Sequence, residues 1–120
     1  MDKELFKIAL VVENTEESVE YYTKLFGMVE HERLKTPGGD YVFLKSGPVL
    51  LELFPRALHQ DCDPGFHHIC FKTEDVQTTL DEVREKGAEV ALETFDGGFG
   101  ITLAEIKGPD NVRIRLFNRK

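Results

Sequence analysis

The stretch Lys7-Ile8-Ala9-Leu10-Val11 is matched 61 residues later by His68-Ile69-Cys70-Phe71-Lys72. A second match joins Val49–Phe54 to Val112–Phe117, which begins 63 residues later. Two nearly constant offsets across a chain of 120 residues indicate a duplicated module. The fold is therefore expected to contain the same arrangement of strands and helices twice.

Polar side chains stand at matching positions within these apolar strands. Lys7 aligns with His68, and Glu52 aligns with Arg115. Burial of a polar group in a strand is costly unless the group has a partner. We therefore expect these four side chains to converge on one shared site.

The first module reads as strand, helix and three strands. Apolar residues alternate from Phe6 to Val12, which predicts a strand. Asn14 and Glu17 form a capping box that predicts the start of a helix over Thr15–Phe26, and Gly27 is expected to end this helix. Three further strands are expected at Met28–Leu34, Tyr41–Lys45 and Val49–Phe54.

The second module follows the same order. A strand is predicted at Phe66–Thr73, followed by a helix that is capped by Thr73 or Asp75 and ended by Gly87. Strands follow at Glu89–Thr94, Gly100–Ile106 and Val112–Phe117, with a glycine turn at 97–98. We predict one domain over 1–120, with modules at about 5–54 and 66–118 and a linker at about 55–65.

One helix for every four strands predicts an α+β fold. Each helix covers a single sheet face, so two tandem βαβββ modules are expected to form a cup-shaped mixed sheet with the helices outside. Strand alternation then assigns the residues that face the helices and those that face the cup. The helix side takes Phe6, Ile8, Leu10, Val12, Val49, Leu51, Leu53, Ile69, Phe71, Val112, Ile114 and Leu116. The cup side takes Lys7, Ala9, Val11, Leu50, Glu52, Phe54, His68, Cys70, Arg113, Arg115 and Phe117, whereas His67 is expected to face away from the cup.

The composition and charge disfavour several classes of partner. The net charge is −7 and the pI is about 5.1, which disfavours nucleic acid. No apolar run reaches the length of a membrane span, and Met1-Asp2-Lys3-Glu4 leads directly into the first strand, so we expect no membrane partner and no signal peptide. Cys62 and Cys70 do not form a disulfide framework, which favours a reducing, cytoplasmic location.

The ordered set of motifs resembles the vicinal oxygen chelate superfamily of glyoxalases, bleomycin-resistance proteins and ring-cleaving dioxygenases. The resemblance covers nearly the whole chain. It rests on Ile8-Ala9-Leu10-Val11-Val12, Ser18-Val19-Glu20-Tyr21-Tyr22, Leu25-Phe26-Gly27-Met28, Leu51-Glu52-Leu53-Phe54, His67-His68-Ile69-Cys70-Phe71 with Asp75-Val76, and Gly108-Pro109-Asp110-Asn111.

This resemblance implies a metal site on the first and last strands of each module. Glu52 and His68 suit a divalent metal such as Zn, Ni, Mn or Fe. Members of the superfamily commonly have His or Gln at the position of Lys7 and Glu at the position of Arg115. Lysine and arginine are cations that offer a metal no lone pair. The metal set is therefore incomplete, and a metal cofactor is disfavoured.

The charges on the cup side predict a site for a small anionic molecule. Lys7, Arg113 and Arg115 are substrate-binding candidates, set against one carboxylate, Glu52. Glu52 and His68 are candidate catalytic residues that move a proton beside a carbonyl, while the cations stabilise an enolate. A charge network that merely fills a vestigial site is the structural alternative.

The resemblance implies a glyoxalase-family, lactoylglutathione lyase-like protein that acts as a lyase or isomerase. The alternative is a metal-free, non-catalytic binding protein of the bleomycin-resistance type. Members of the superfamily are usually homodimers, and the linker also permits exchange of modules between chains.

Overall fold

A computed structural model describes residues 3–120. The first module comprises β1 (Glu4–Val12), α1 (Thr15–Phe26), β2 (Val29–Thr36), β3 (Gly39–Ser46) and β4 (Val49–Pro55). The second comprises β5 (Gly65–Lys72), α2 (Val76–Glu85), β6 (Glu89–Gly98), β7 (Ile101–Lys107) and β8 (Arg113–Arg119). The predicted α+β class and the repeated βαβββ order are confirmed.

The expectation about the start of the chain rested partly on Met1 and Asp2, which lie outside the described residues. Within residues 3–120, neither helix has the length and apolar character that a bilayer crossing requires.

The chain divides into two compact units. One unit is Lys7–His67, with the strand order β2-β3-β4-β1. The other combines the residues up to Phe6 with His68–Lys120, and its last four strands have the order β5-β8-β7-β6. In both modules the first strand lies parallel to the last strand, and the remaining pairs are antiparallel. The eight-stranded sheet is therefore mixed within each unit.

Helix α1 is bounded by its capping residues. The side chain of Asn14 accepts a hydrogen bond from the backbone N–H of Glu17 at 3.0 Å. Gly27 ends the helix with φ of 68°, a left-handed conformation that glycine adopts without steric cost. The predicted bounds of Thr15 and Phe26 are confirmed.

Helix α2 begins after Asp75, one of the two residues predicted to cap it. The Asp75 side chain accepts from the backbone N–H of Thr78 at 2.9 Å. Thr73 has another role, since its hydroxyl lies 2.6 Å from that of Thr79 in a buried contact. This bond satisfies two polar groups that would otherwise be costly to bury.

Packing against a helix confirms the helix-facing assignment for the residues of two clusters, whereas Phe6, which was assigned to the helix side, packs on Phe117 of the opposite parity. In the Lys7–His67 unit, one cluster joins the sheet to α1, and in the other unit a second cluster joins the sheet to α2. The first contains Leu10, Val12, Leu51 and Leu53 with Val19 and Tyr22 of α1, and the second contains Phe71 and Leu116 with Val76, Leu80 and Val83 of α2. Ala9, Val11 and Phe54 form a separate cluster, as expected for the opposite parity. We call the sheet face opposite the helix the helix-distal face of each unit.

Arg33 of β2 fastens the start of α1 to the sheet. Its guanidinium donates to Glu16 at 2.7 Å, to Glu30 at 2.8 Å and to Asp40 at 3.1 Å. The hydrogen bond from Arg33 is the main cause that lowers the pKa of Glu16 from its ordinary value of 4.5. The same carboxylates, Glu16 first, raise the pKa of Arg33. This cluster therefore joins three elements of one unit.

The first residues of β1 pack on the second module. The ring of Phe6 lies 5.2 Å from that of Phe117, centroid to centroid, and Lys72 Nζ lies 5.7 Å from the Phe6 centroid. Lys3 also pairs with Glu82 of α2 at 3.1 Å. These contacts explain why residues before Lys7 group with the second module.

The strand β6 is longer than predicted. It continues past Thr94 to Gly98, and its pairing with β7 contains several register shifts. The turn lies at Phe99 and Gly100, which have φ of 54° and 77°, instead of at the predicted glycine pair. Bulges interrupt the period-2 pattern on which the prediction depended.

Candidate functional site

Lys7 and Glu52 form a buried ion pair in the Lys7–His67 unit. Lys7 Nζ lies 2.6 Å from Glu52 Oε1, and the two residues are 3% and 5% exposed. Parallel pairing of β1 with β4 sets Glu52 beside Ala9, so alternation directs both charged side chains to the helix-distal face. Lys7 Nζ also lies 5.4 Å from the ring centroid of Phe43, the residue that pairs with Glu52 on β3. The carboxylate is thus held in a fixed, water-poor position by a cation.

Arg115 is paired in the other unit with a carboxylate that the sequence interpretation did not include. Its Nε donates to Glu105 Oε1 at 2.9 Å, and Glu105 is buried. The two residues are direct neighbours across β7 and β8. The expected balance of three cations against one carboxylate is therefore wrong, because Glu105 compensates Arg115.

Arg113 lines a small pocket in the same unit. The pocket has a volume of about 180 Å³, and it is lined by Ala91, Glu105, Ile106, Lys107, Asn111, Val112 and Arg113. Lys107 lies directly opposite Arg113 in the strand register, and its Nζ is 3.8 Å from Glu89. Two cations therefore border the pocket, and Lys107 is a cation that the sequence interpretation missed.

His68 lies on β5 and is 1% exposed. Cys70, two residues further along β5, is the direct neighbour of Arg115 on β8. Because side chains alternate along a strand, His68, Cys70 and Arg115 are all assigned to the helix-distal face. Cys70 is a fully buried free thiol. The second unit thus supplies one candidate acid or base, His68, on the same face as Arg115, whose charge Glu105 already compensates.

An aromatic and imidazole cluster covers another part of the helix-distal face of the Lys7–His67 unit. The hydroxyl of Tyr41 lies 2.7 Å from His59 Nε2, and the His59 ring packs on Phe54 at 4.7 Å between centroids. His67 packs on the same Phe54 ring at 5.0 Å. The expectation that His67 faces away from this surface is wrong, because its ring packs on the ring of Phe54.

The donor atoms do not fit a divalent metal of the kind that the resemblance implies. At one expected ligand position the ammonium of Lys7 lies against Glu52, and at another the guanidinium of Arg115 is bound to Glu105. Neither cation has a lone pair for a metal, and each takes a carboxylate oxygen. Residues 3–120 also contain no group of three His, Cys, Asp or Glu side chains arranged to hold an ion.

The chain is similar in sequence to two lactoylglutathione lyases. It is 30% identical over 118 residues to one from Arabidopsis thaliana, covering 90% of this chain but 41% of that protein. It is 27% identical over 114 residues to a probable lactoylglutathione lyase from Synechocystis sp., covering 88% of this chain and 87% of the relative. The chain thus spans less than half of the plant protein that it matches.

The fold is similar to that of a methylmalonyl-CoA epimerase from Streptomyces coelicolor, solved in complex with 2-nitronate-propionyl-CoA. The TM-score is 0.78 at 20% identity, with 98% of this chain and 94% of the epimerase covered. A family model described as Glyoxalase/Bleomycin resistance protein/Dioxygenase superfamily matches residues 5–116. By that match over nearly its full length, the chain belongs to the glyoxalase, bleomycin resistance protein and dioxygenase superfamily.

Proposed function

We propose that this protein is a lyase or isomerase that moves a proton on a carbon next to the carbonyl of a small anionic metabolite. Glu52 is the base, and His68 is the second acid or base. Lys7, Arg113 and Arg115 bind the substrate, and no metal takes part. The proposed setting is the cytoplasm, in keeping with the reduced state of Cys62 and Cys70.

The observation that carries the proposal is the buried pair of Lys7 and Glu52, with 2.6 Å between Nζ and Oε1. A carboxylate removed from water and fixed in orientation is suited to take a proton from carbon. The neighbouring ammonium is suited to stabilise the negative charge that develops on the carbonyl oxygen. Glu52 would take the proton and return it, or pass it to the adjacent carbon, so that the enzyme is regenerated.

The names of the relatives favour a thioester as the substrate. Lactoylglutathione and methylmalonyl-CoA are both thioesters with a C–H next to the carbonyl, and both carry anionic groups far from that carbon. The pocket of about 180 Å³ beside Arg113 and Lys107 supports a role in holding such an anionic group. Arg115 would contribute through its guanidinium edge beyond the bond to Glu105.

Deuterium exchange tests this proposal. Lactoylglutathione and methylmalonyl-CoA are incubated in D₂O with the protein, and loss of the C–H signal next to the carbonyl is followed by NMR. We expect exchange above the protein-free rate with at least one compound. Glu52→Gln should lower the exchange rate by about 10²–10⁴-fold, whereas Glu85→Gln, an exposed carboxylate on α2, should not change it.

Glu52→Asp provides a second variant, because it keeps the charge opposite Lys7 but withdraws the carboxylate by one methylene. We expect this variant to fold, as judged by circular dichroism, and to lose most of the exchange activity. Unchanged exchange in Glu52→Gln or in Glu52→Asp would exclude Glu52 as the base.

A non-catalytic binding function is the second candidate. The compensation of Arg115 by Glu105 favours it, because a cation already bound to a carboxylate contributes less to a developing charge. Calorimetry would then show binding of the same thioesters with no deuterium exchange at any protein concentration.

A further inference from the structure

Tyr41 and His59 form a phenol–imidazole pair in the same unit as Glu52. The Tyr41 hydroxyl lies 2.7 Å from His59 Nε2, and both residues are half-buried. The Tyr41 ring packs edge-on against Phe54 at 5.1 Å between centroids, and the His59 ring packs on the same Phe54 at 4.7 Å. Because Phe54 is only 4% exposed, the pair is anchored on a buried ring. Its own partial exposure lets it exchange protons with water.

The strand register sets this pair near the Glu52 carboxylate. Phe43 of β3 is the direct partner of Glu52 on β4, and Tyr41 stands two residues before Phe43. Side chains two residues apart on a strand share a face and are separated by about 6.8 Å along the strand. Tyr41 also packs on the helix-distal cluster that contains Phe54. Tyr41 and Glu52 therefore share the helix-distal face and lie one side-chain step apart.

The reaction proposed above calls for a hydrogen-bond donor at the carbonyl oxygen. When Glu52 takes the proton from carbon, the electron pair of the C–H bond moves into the carbonyl group, and negative charge develops on its oxygen. A protonated imidazole carries hydrogen on both nitrogens, so a charged His59 donates to the Tyr41 oxygen. The hydrogen of Tyr41 is then directed to another acceptor, and the enolate oxygen is such an acceptor.

We propose that Tyr41 is a catalytic acid of this site and that His59 is the positioning residue that acts through it, an inference that rests on the proposed function. Glu52 removes the proton from carbon, Tyr41 protonates the enolate oxygen, and the proton of His59 Nε2 replaces the one that Tyr41 gave up. The enol proton returns through Tyr41 to His59 when carbon is reprotonated. No proton is gained or lost over the cycle.

The charge of His59 should therefore control the rate. Tyr41 on β3 and His67 on β5 face His59, with 6.2 Å between the two imidazole centroids, and Cys62 of the linker packs on the same cluster. Imidazoles titrate between about pH 5 and 8. Once His59 is neutral, its Nε2 can accept the hydrogen of Tyr41, which withdraws the acid from the substrate. The exchange rate should fall as the pH rises through this range.

Tyr41→Phe tests the acid, because it removes one hydroxyl and keeps the ring that packs on Phe54. For whichever of lactoylglutathione and methylmalonyl-CoA the wild type exchanges, the C–H exchange rate in D₂O at saturating substrate should fall about 10²-fold. The dissociation constant from calorimetry should not change, because the hydroxyl acts on charge that develops only during the reaction. Tyr21→Phe, on the exposed face of α1, is the matched control and should change neither quantity.

His59→Gln tests the relay through the pH profile. The amide offers Tyr41 a donor and an acceptor but does not titrate. After subtraction of the protein-free rate, wild-type exchange should decline between about pH 6 and 8. This decline should be absent from His59→Gln and present in His31→Gln, which replaces an exposed imidazole on β2. A merely structural role of His59 would lower the rate equally at every pH.

Three results separate this inference from the proposed function. A wild-type protein that catalyses no C–H exchange overturns both. Exchange that Glu52→Gln abolishes but Tyr41→Phe leaves intact overturns the role of Tyr41 alone. A His59→Gln profile that declines like that of the wild type overturns the role of His59.

Discussion

Lys7 Nζ and Glu52 Oε1 lie 2.6 Å apart on two neighbouring parallel strands, and both side chains are almost fully removed from solvent. Two opposite charges in such a place compensate each other's desolvation, but neither is tolerated alone. The stability of the fold therefore depends on this pair, which is also the centre of the proposed chemistry.

Replacement of one member of this pair should destabilise the protein strongly. Lys7→Met leaves the Glu52 carboxylate buried without its cation, and we expect a loss of about 3–5 kcal/mol in the free energy of unfolding. Urea denaturation followed by circular dichroism measures this loss. Lys7→Met combined with Glu52→Leu should recover most of it, because no buried charge then remains. A double variant that is as unstable as Lys7→Met would show that packing, and not the uncompensated charge, explains the loss.

Anion binding should depend on the two cations that border the pocket of the second module. Arg113→Gln and Lys107→Gln should each weaken the binding of lactoylglutathione about 5- to 20-fold, because each removes a charge-assisted hydrogen bond. Lys86→Gln, at the exposed end of α2, provides the control and should leave binding unchanged. Isothermal titration at two salt concentrations measures the effect. Equal affinities for all four proteins would remove Arg113 from the substrate-binding residues.

Acid should weaken the contact between α1 and β2. The pKa of Glu16 is lower in the folded protein than its ordinary value of 4.5, chiefly because Arg33 donates to it. A lowered folded-state pKa means that the carboxylate stabilises the fold above about pH 4.5, and that this contribution is lost as the pH falls through the lowered value. Glu16→Gln should therefore lower the urea midpoint at pH 7 by more than it does near pH 2.5.

Because Glu16 is largely exposed, the effect at pH 7 should be small, and it should shrink further in 1 M salt. Glu20→Gln on the same helix, which has no ion pair among residues 3–120, is the control. A Glu16→Gln effect that is the same at both pH values would show that the contribution of Glu16 does not depend on its charge.

The sequence predicted those features that depend on short stretches of chain. Asn14 and Gly27 bounded α1 correctly, because capping acts within a few residues. The alternation of Leu10 and Val12 identified the helix-facing side of β1, because alternation in a strand also depends only on neighbouring residues. A charge network that contains Lys7 and Glu52 was only the structural alternative in the sequence interpretation, because the pairing of these two residues depends on the register of β1 and β4.

The remaining features depend on contacts between distant stretches. Glu105 was missed because its position opposite Arg115 is set by the register of the β7–β8 hairpin. The turn between these strands, closed by a hydrogen bond between Gly108 and Val112, was the signal in the sequence from which that register could have been inferred. His67 was assigned to the wrong side because its ring position is decided by packing on Phe54 and not by alternation alone. The length of β6 was missed because bulges break the periodic pattern.

The grouping of Phe6 with Phe117 limits how the two halves of this duplicated chain can be separated. The ring that packs on the last strand is encoded at the opposite end of the polypeptide, more than a hundred residues away. A second module cut from the chain at the linker would lack Phe6, and it would therefore lose the aromatic contact with Phe117. The packing of the second module therefore depends on an aromatic side chain that lies outside its own repeat.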